Sequence, residues 1–336
     1  MSHTVMVGAV RALAAAANEQ GVDGGAIARR HVPEGLLNDP DGRVPFQQYR
    51  AAMAEFIDEC GDTIGLRAGA RAALGTTLEY LTRTSSTLGG ALGHIVRYAS
   101  LTADRATIEM HEAEGVVEYT FQAPIEVIPE VPTVMVRQSI EGFLALVVSL
   151  GRSITITRWT PTEVRFSYAR PDDVAELQQF FGAPLVFEAE RSGLVLPSSL
   201  LNLSVVTADT QLNLILAACC ATLLQELPKT QDLKVDVMRK LTAAVPHGDH
   251  SIDQIARKLG MSGRTLQRRL ADEGLSFHDV LDETRRLLAQ RYLAESSLSI
   301  TDTALLLGYS EQRAFHRAFK RWNGRTPADY RAAQRR

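Results

Sequence analysis

Apolar positions along this chain follow two different regimes. Over roughly the first two-thirds, helical and alternating spacings interleave. The alanine-rich stretch 9–17 reads as a helix, and residues 44–53 read as another with a proline near its start. Residues 87–101 put Leu88, Leu92, Ile95, Val96 and Ala99 on one helical face. Residues 107–110 and 116–121 read as a hairpin around Glu114 and Gly115. A long, very apolar helix is predicted at 133–150, a strand at 163–168 and a helix at 172–181. Residues 185–190 with 193–196 read as a second hairpin, and 207–226 as another long apolar helix. Strands alternating with helices over about 200 residues predict an α/β domain.

The C-terminal third is patterned differently, because it repeats itself. Residues 251–262 (SIDQIARKLGMS) and 299–310 (SITDTALLLGYS) share Ser, Ile, Ala, Leu, Gly and Ser at the same offsets. Each is followed by a basic amphipathic stretch, 265–270 and 314–319, the second copy carrying one extra residue. The pattern predicts helix, turn, helix. Ser251 with Gln254 has the spacing of a capping box, and Ser299 with Asp302 is its looser equivalent. Ile252, Ile255, Ala256 and Leu259 make one apolar face, Gly260 ends the helix, and Ser262 caps the next. Leu266 and Leu270 then face inward, with Arg264, Gln267, Arg268 and Arg269 outward. The small Ala256 and Ala304 let paired helices approach closely. Between the copies, residues 277–295 keep helical spacing over on the order of 25 Å. A connecting helix of that length can hold two second helices roughly 34 Å apart, about one turn of duplex DNA.

Charge sharpens the division. The net charge of −3 conceals 20 basic and 13 acidic residues from Lys229 onward, a net of +7, against −10 for the preceding residues. All five lysines lie at or after Lys229. A change of sign of this size predicts two domains, the basic one suited to a polyanion. We therefore expect an effector-binding and dimerisation domain at 1–227, a short linker at 228–233, and an all-α domain at 234–336. The latter would hold helix-turn-helix units at about 251–272 and 299–321 joined by the long helix, making the whole chain α+β. The linker is too short for independent tumbling over long distances.

Composition is ordinary for a globular chain with a core. No apolar run is read as long enough for a bilayer. The N-terminus lacks the basic start and cleavage site of a signal peptide. Three cysteines make neither a disulfide framework nor a metal motif. The expected location is cytoplasmic, with no membrane partner.

From Leu259 to Leu270 (LGMSGRTLQRRL) and from Arg317 to Arg331 (RAFKRWNGRTPADYR), the sequence resembles the DNA-binding domain of the AraC/XylS family of bacterial regulators. The resemblance spans about 234–331. Residues 64–69 (IGLRAG), 86–91 (STLGGA) and 180–187 (FFGAPLVF) are similar to the effector-binding half of one branch. That branch holds ornithine- and arginine-responsive and VirS-like regulators, and differs from the cupin-barrel half of sugar-responsive members. The resemblance implies double-stranded DNA, a small-molecule effector and RNA polymerase as partners, a homodimer, and activation of transcription.

Within that frame, base readout is assigned to Gly263, Arg264, Gln267 and Arg268 in the first unit, the glycine allowing close approach. In the second unit it is assigned to Gln312, Arg313, His316 and Arg317. Arginine matches the two acceptors of guanine, and glutamine matches adenine. Ser262, Arg269, Ser310, Lys320 and Arg321 are assigned to phosphate, which positions without specifying. Glu311 would repel phosphate unless it meets a cytosine amine. Phe315 and Phe319 are expected in the second unit's core, with Tyr330 packed back on the same helix.

Catalytic chemistry finds no constellation. His247 and His250 sit in a loop without a third ligand. Cys219 and Cys220 read as buried small hydrophobes. Gly24-Gly25 and Gly89-Gly90 lack the pattern of a phosphate loop. No enzyme activity, cofactor or metal is expected. The effector pocket is unknown: the helices at 133–150 and 207–226 could line one, but read better as core or dimer helices. Sparse aromatics argue against a sugar-stacking site. Two alternatives stay open, an effector-independent architectural DNA binder and an enzyme domain fused to a DNA-binding tail.

Overall fold

The computed structural model describes residues 4–71, 73–104, 106–123, 131–227, 233–295 and 298–334. The chain divides into two compact units, Met1–Pro228 and Lys229–Arg336. Apart from Leu233, the expected linker lies outside the described residues.

The first unit runs β1 (Thr4–Met6), α1 (Val7–Glu19), α2 (Gly24–His31), α3 (Glu34–Leu37), β2 (Arg43–Pro45), α4 (Phe46–Cys60), α5 (Ile64–Ala70), α6 (Thr77–Arg83), α7 (Leu88–Arg97) and α8 (Ala99–Thr102). It continues with β3 (Thr107–Ala113), β4 (Val116–Gln122), α9 (Thr133–Thr155), β5 (Glu163–Arg165), α10 (Ala175–Phe181), β6 (Leu185–Val186), β7 (Ser192–Pro197) and α11 (Thr210–Glu226). The first hairpin forms as expected, β3 pairing antiparallel with β4 around Glu114 and Gly115. The second does not. β7 inserts between β4 and β5, giving the order β3-β4-β7-β5-β6, and β6 pairs parallel with β5. Gly193 permits this insertion: a Cβ there would collide with the backbone carbonyl of Tyr119 on β4. Local alternation identifies a strand but cannot name its neighbour.

The core of this unit is organised around α9, whose Ile140, Leu144, Val147 and Val148 are buried. By length and composition α9 could cross a membrane, contrary to the sequence expectation, yet most of that stretch is buried inside the unit. It crosses α5 closely because Gly65, Gly69 and Gly142 carry no side chains. A Cβ on Gly65 would collide with the carbonyl of Gln138, and one on Gly69 with the carbonyl of Gly142. This is the physical content of the 64–69 phrase: glycines four apart open a groove for a neighbouring backbone.

Helix α11 starts at Thr210, capped by Asp209, which accepts from Leu212 N at 2.9 Å. One side packs on α6 and α8 through Leu216, Cys220 and Leu224. The other side leaves Leu214, Ile215, Ala218 and Cys219 exposed at helical spacing. Only Cys220 of the cysteine pair is therefore buried, a correction to the reading of both as core.

The second unit consists of α12 (Leu233–Ala244), α13 (Ile252–Lys258), α14 (Gly263–Asp272), α15 (Phe277–Glu295), α16 (Ile300–Leu306), α17 (Gln312–Asn323) and α18 (Pro327–Gln334). Its core is continuous. Ile255, Leu266 and Leu270 of the first repeat and Ala304, Phe315 and Phe319 of the second join Val280, Leu288 and Leu293 of α15.

Candidate nucleic-acid interface

The first repeat builds its helices as the residues dictate. Ser251 Oγ accepts from Gln254 N at 3.4 Å and Gln254 Oε1 accepts from Ser251 N at 3.0 Å, so the capping box closes in both directions. Ile255 and Ala256 are buried, and Gly260 turns the chain at φ +71°. Ser262 then accepts from Thr265 N at 3.2 Å and starts α14. Leu266 and Leu270 are buried, while Arg264, Gln267, Arg268 and Arg269 are all exposed.

The second repeat reproduces the plan with local differences. Ser299 and Asp302 form a full capping box rather than a looser one. Gly308 turns at φ +74°. The cap of α17 is Glu311, whose side chain makes no capping bond, so Ser310 is not the counterpart of Ser262. Gln312, Arg313, Arg317, Lys320 and Arg321 are exposed and His316 is half-buried. Gln312 Oε1 accepts from Thr301 Oγ1 at 3.3 Å, which orients the amide from α16. Phe315 and Phe319 are fully buried edge to face at 5.7 Å, and Tyr330 of α18 stacks edge-on against Phe319 at 5.4 Å.

Two assigned residues prove to have internal work. Gly263 is buried, and a Cβ there would strike the carboxylate of Asp253 on α13. The glycine lies where the Asp253 side chain of α13 meets the start of α14, next to the exposed Arg264. Arg321 Nη2 donates to Asp282 of α15 at 2.7 Å, beside Trp322 Nε1, which donates to the same oxygen at 3.3 Å. Arg321 is thus held by the connecting helix. By contrast Arg264, Arg268, Arg269, Arg313 and Arg317 have no acidic partner among the described residues, while Lys320 lies near enough to Asp329 to help lower its pKa.

Sequence reasoning missed one element of the site, the bridge between the repeats. Arg285 of α15 donates from Nε to the carbonyl of Leu307 at 2.9 Å, and its guanidinium lies 4.9 Å from the Tyr309 ring centroid. It also contacts His250, the residue before the first cap, at 3.1 Å. Burial pushes the Tyr309 phenol up to about 12, opposed by Arg285. The sequence signal was present as His250 beside a capping serine, but its partner lies 35 residues away. Among the described residues no group of three or more His, Cys, Asp or Glu side chains could hold a metal ion.

Comparison with known proteins agrees with this geometry. Residues 255–333 match a family described as a helix-turn-helix domain. Residues 21–205, more than half of the chain, match the arabinose-binding domain of AraC transcription regulator, N-terminal part. The chain belongs to the AraC family of transcription regulators. Similar proteins match over nearly their full length. The ornithine utilization regulator of Pseudomonas aeruginosa is 29% identical across 94% of this chain and 92% of its own. The regulator VirS of Mycobacterium tuberculosis is 29% identical across 91% of this chain and 89% of its own. A solved structure, the transcriptional regulator CdpR of Pseudomonas aeruginosa, aligns over 96% of this chain and 97% of its own at 22% identity and a TM-score of 0.46. This AraC-family chain is a DNA-binding transcription regulator with an effector domain, not an enzyme.

Proposed function

We propose that the chain is a ligand-responsive activator that reads duplex DNA with both repeats at once. The observation that carries this reading is the set of unpartnered cations on α14 and α17, mounted on one continuous core around α15. A protein stabilised by its own ion pairs would have matched those cations internally. Here they are left to an outside polyanion. Arg264, Gln267 and Arg268 read bases from the first repeat, and Gln312, Arg313, His316 and Arg317 from the second. Arg269 and Lys320 hold phosphate, with Ser262 and Ser310 at the helix entries. Residues 1–227 bind the effector and dimerise, 228–233 link, and 234–336 bind DNA in the cytoplasm.

The exposed stripe Leu214, Ile215, Ala218 and Cys219 on α11 is the face for a second copy of the chain. An isologous helix pair would bury this stripe, and two copies would read repeated sites. Contact with RNA polymerase follows as the route to activation. The test is selection of duplexes from a randomised pool by the full-length protein. Enrichment of two short boxes about 10 base pairs apart supports the reading. Affinity without any enriched sequence would favour an architectural binder instead.

A further inference from the structure

The first unit contains a cavity of about 140 Å³ between β1, α1, α4, α5, α8, β4 and α9. Its wall is made of small and apolar side chains, among them Ala9, Leu13, Met53, Phe121, Phe143 and Leu146. Among the described residues no Asp, Glu, Lys, Arg or His lines it. Four polar side chains do, and two are already engaged. Gln138 Oε1 accepts from Gly65 N at 2.6 Å and its amide nitrogen donates to Glu141 Oε2 at 3.1 Å. Thr102 Oγ1 donates to the carbonyl of Ala99 at 2.7 Å. The Ser139 hydroxyl is different. It is buried and makes no hydrogen bond of good geometry among the described residues, and the Tyr49 phenol is close enough to interact with it.

We infer that this cavity is the effector site, and that it takes a neutral, largely apolar molecule with one hydrogen-bonding group directed at Ser139 and Tyr49. The inference rests on the ligand-responsive reading above. Its volume is close to that of an engineered cavity of about 150 Å³ that binds benzene. A zwitterionic amino acid would bury charges with no counter-ion among the described lining residues, at a cost of several kcal/mol per ion. A sugar would bring several hydroxyls to a wall whose described residues offer only the neighbouring Ser139 and Tyr49 hydroxyls to receive them, and each unpaired group is penalised. The Ser139 hydroxyl lacks a well-formed hydrogen bond, and a ligand that pairs with it recovers part of the cost of its burial. The site also touches α9 and the α5 crossing, the most tightly packed region of the unit, so filling it acts on the core directly.

The experiment uses the full-length protein with p-cresol, toluene, L-ornithine and L-arabinose as probes, followed by calorimetry and by anisotropy on a selected duplex. p-Cresol is expected to bind saturably and more tightly than toluene, with no binding of the other two. Ala9→Leu fills the cavity and is expected to weaken p-cresol at least tenfold, with toluene weakened alongside it. Ser139→Ala is expected to weaken p-cresol about fivefold, the worth of one hydrogen bond, and to leave toluene unchanged. Binding of L-ornithine in preference to p-cresol would overturn the inference, as would p-cresol binding unaffected by both variants. If a charged metabolite alters DNA affinity equally in the wild type and Ala9→Leu, this cavity falls and the ligand-responsive reading stands. If p-cresol binds here and no small molecule changes DNA affinity, the cavity stands and that reading falls.

Discussion

Arg285 donates to His250 Nε2 at 3.1 Å, and that contact joins the entry of the first helix-turn-helix to the turn of the second. A guanidinium has only donors, so the imidazole must accept and be neutral, its proton on Nδ1. Burial, then the Arg285 charge, pushes the His250 pKa down from its ordinary 6.5, against a weaker opposing effect of Asp249. The unfolded chain therefore binds a proton near pH 6.5 that the folded unit takes up only at lower pH. Stability of the DNA-binding unit is full above about 6.5 and falls as pH drops toward the depressed folded value. Hydrogen exchange of the α15 amides is expected to speed up between pH 7 and 5, after correction for intrinsic rates. His250→Gln is expected to flatten that trend. An unchanged trend in the variant would remove this residue from the account.

Glu141 gives the effector unit the opposite sign. It is 2% exposed, and burial raises its carboxyl to about 7, although the Tyr168 hydroxyl donates to it at 2.7 Å. A raised acid favours the fold while protonated, so this contribution is present below about 4.5 and lost as pH rises through about 7. Glu141→Gln is expected to raise the melting temperature of the first unit at pH 8 and to change it little at pH 5. The gain is at most about 3 kcal/mol. Calorimetry at the two pH values checks it, and an equal effect at both would contradict the sign.

The crossing of α5 and α9 depends on Gly69. An alanine there meets the backbone of Gly142, which cannot rotate away. Gly69→Ala is expected to cost about 3 kcal/mol through forced separation of the two helices. Denaturant unfolding of the full chain measures it. A loss below about 0.5 kcal/mol would mean that the helices shift freely.

Arg269 and Arg321 are both exposed, and both were assigned to phosphate from the sequence. Only Arg269 lacks an internal partner, since Arg321 is held by Asp282. Arg269→Ala is expected to lower the slope of log affinity against log salt by about 1. Arg321→Ala is expected to change the slope less and to loosen the α15–α17 contact. Anisotropy titrations at several salt concentrations compare them, and equal slopes would contradict the distinction.

Legibility in the sequence differed between the two units for a physical reason. In residues 251–321 most information is local. Caps, turn glycines and buried positions at helical spacing fall within a dozen residues, and α15 lies at its expected 277–295. What stayed hidden there was partnership across the unit: Asp253 against Gly263, Asp282 against Arg321, His250 against Arg285. In the first unit, register and neighbour are set by distant segments. The insertion of β7 depends on Gly193 facing Tyr119, 74 residues earlier in the numbering of the chain. Nothing in the local alternation of 185–196 distinguishes that arrangement from a hairpin. The cavity was equally invisible, because its wall draws on seven separate elements.

The central claim is that one chain reads DNA at two places with two non-equivalent helices. The direct measurement is selection from a randomised duplex pool by the wild type, Arg264→Ala and Arg313→Ala. Each substitution is expected to cost about 1–3 kcal/mol on the wild-type site. Arg264→Ala is expected to erase preference in one box and Arg313→Ala in the other, the two boxes about 10 base pairs apart. Loss of preference at the same positions in both variants, or at none in either, would contradict the account.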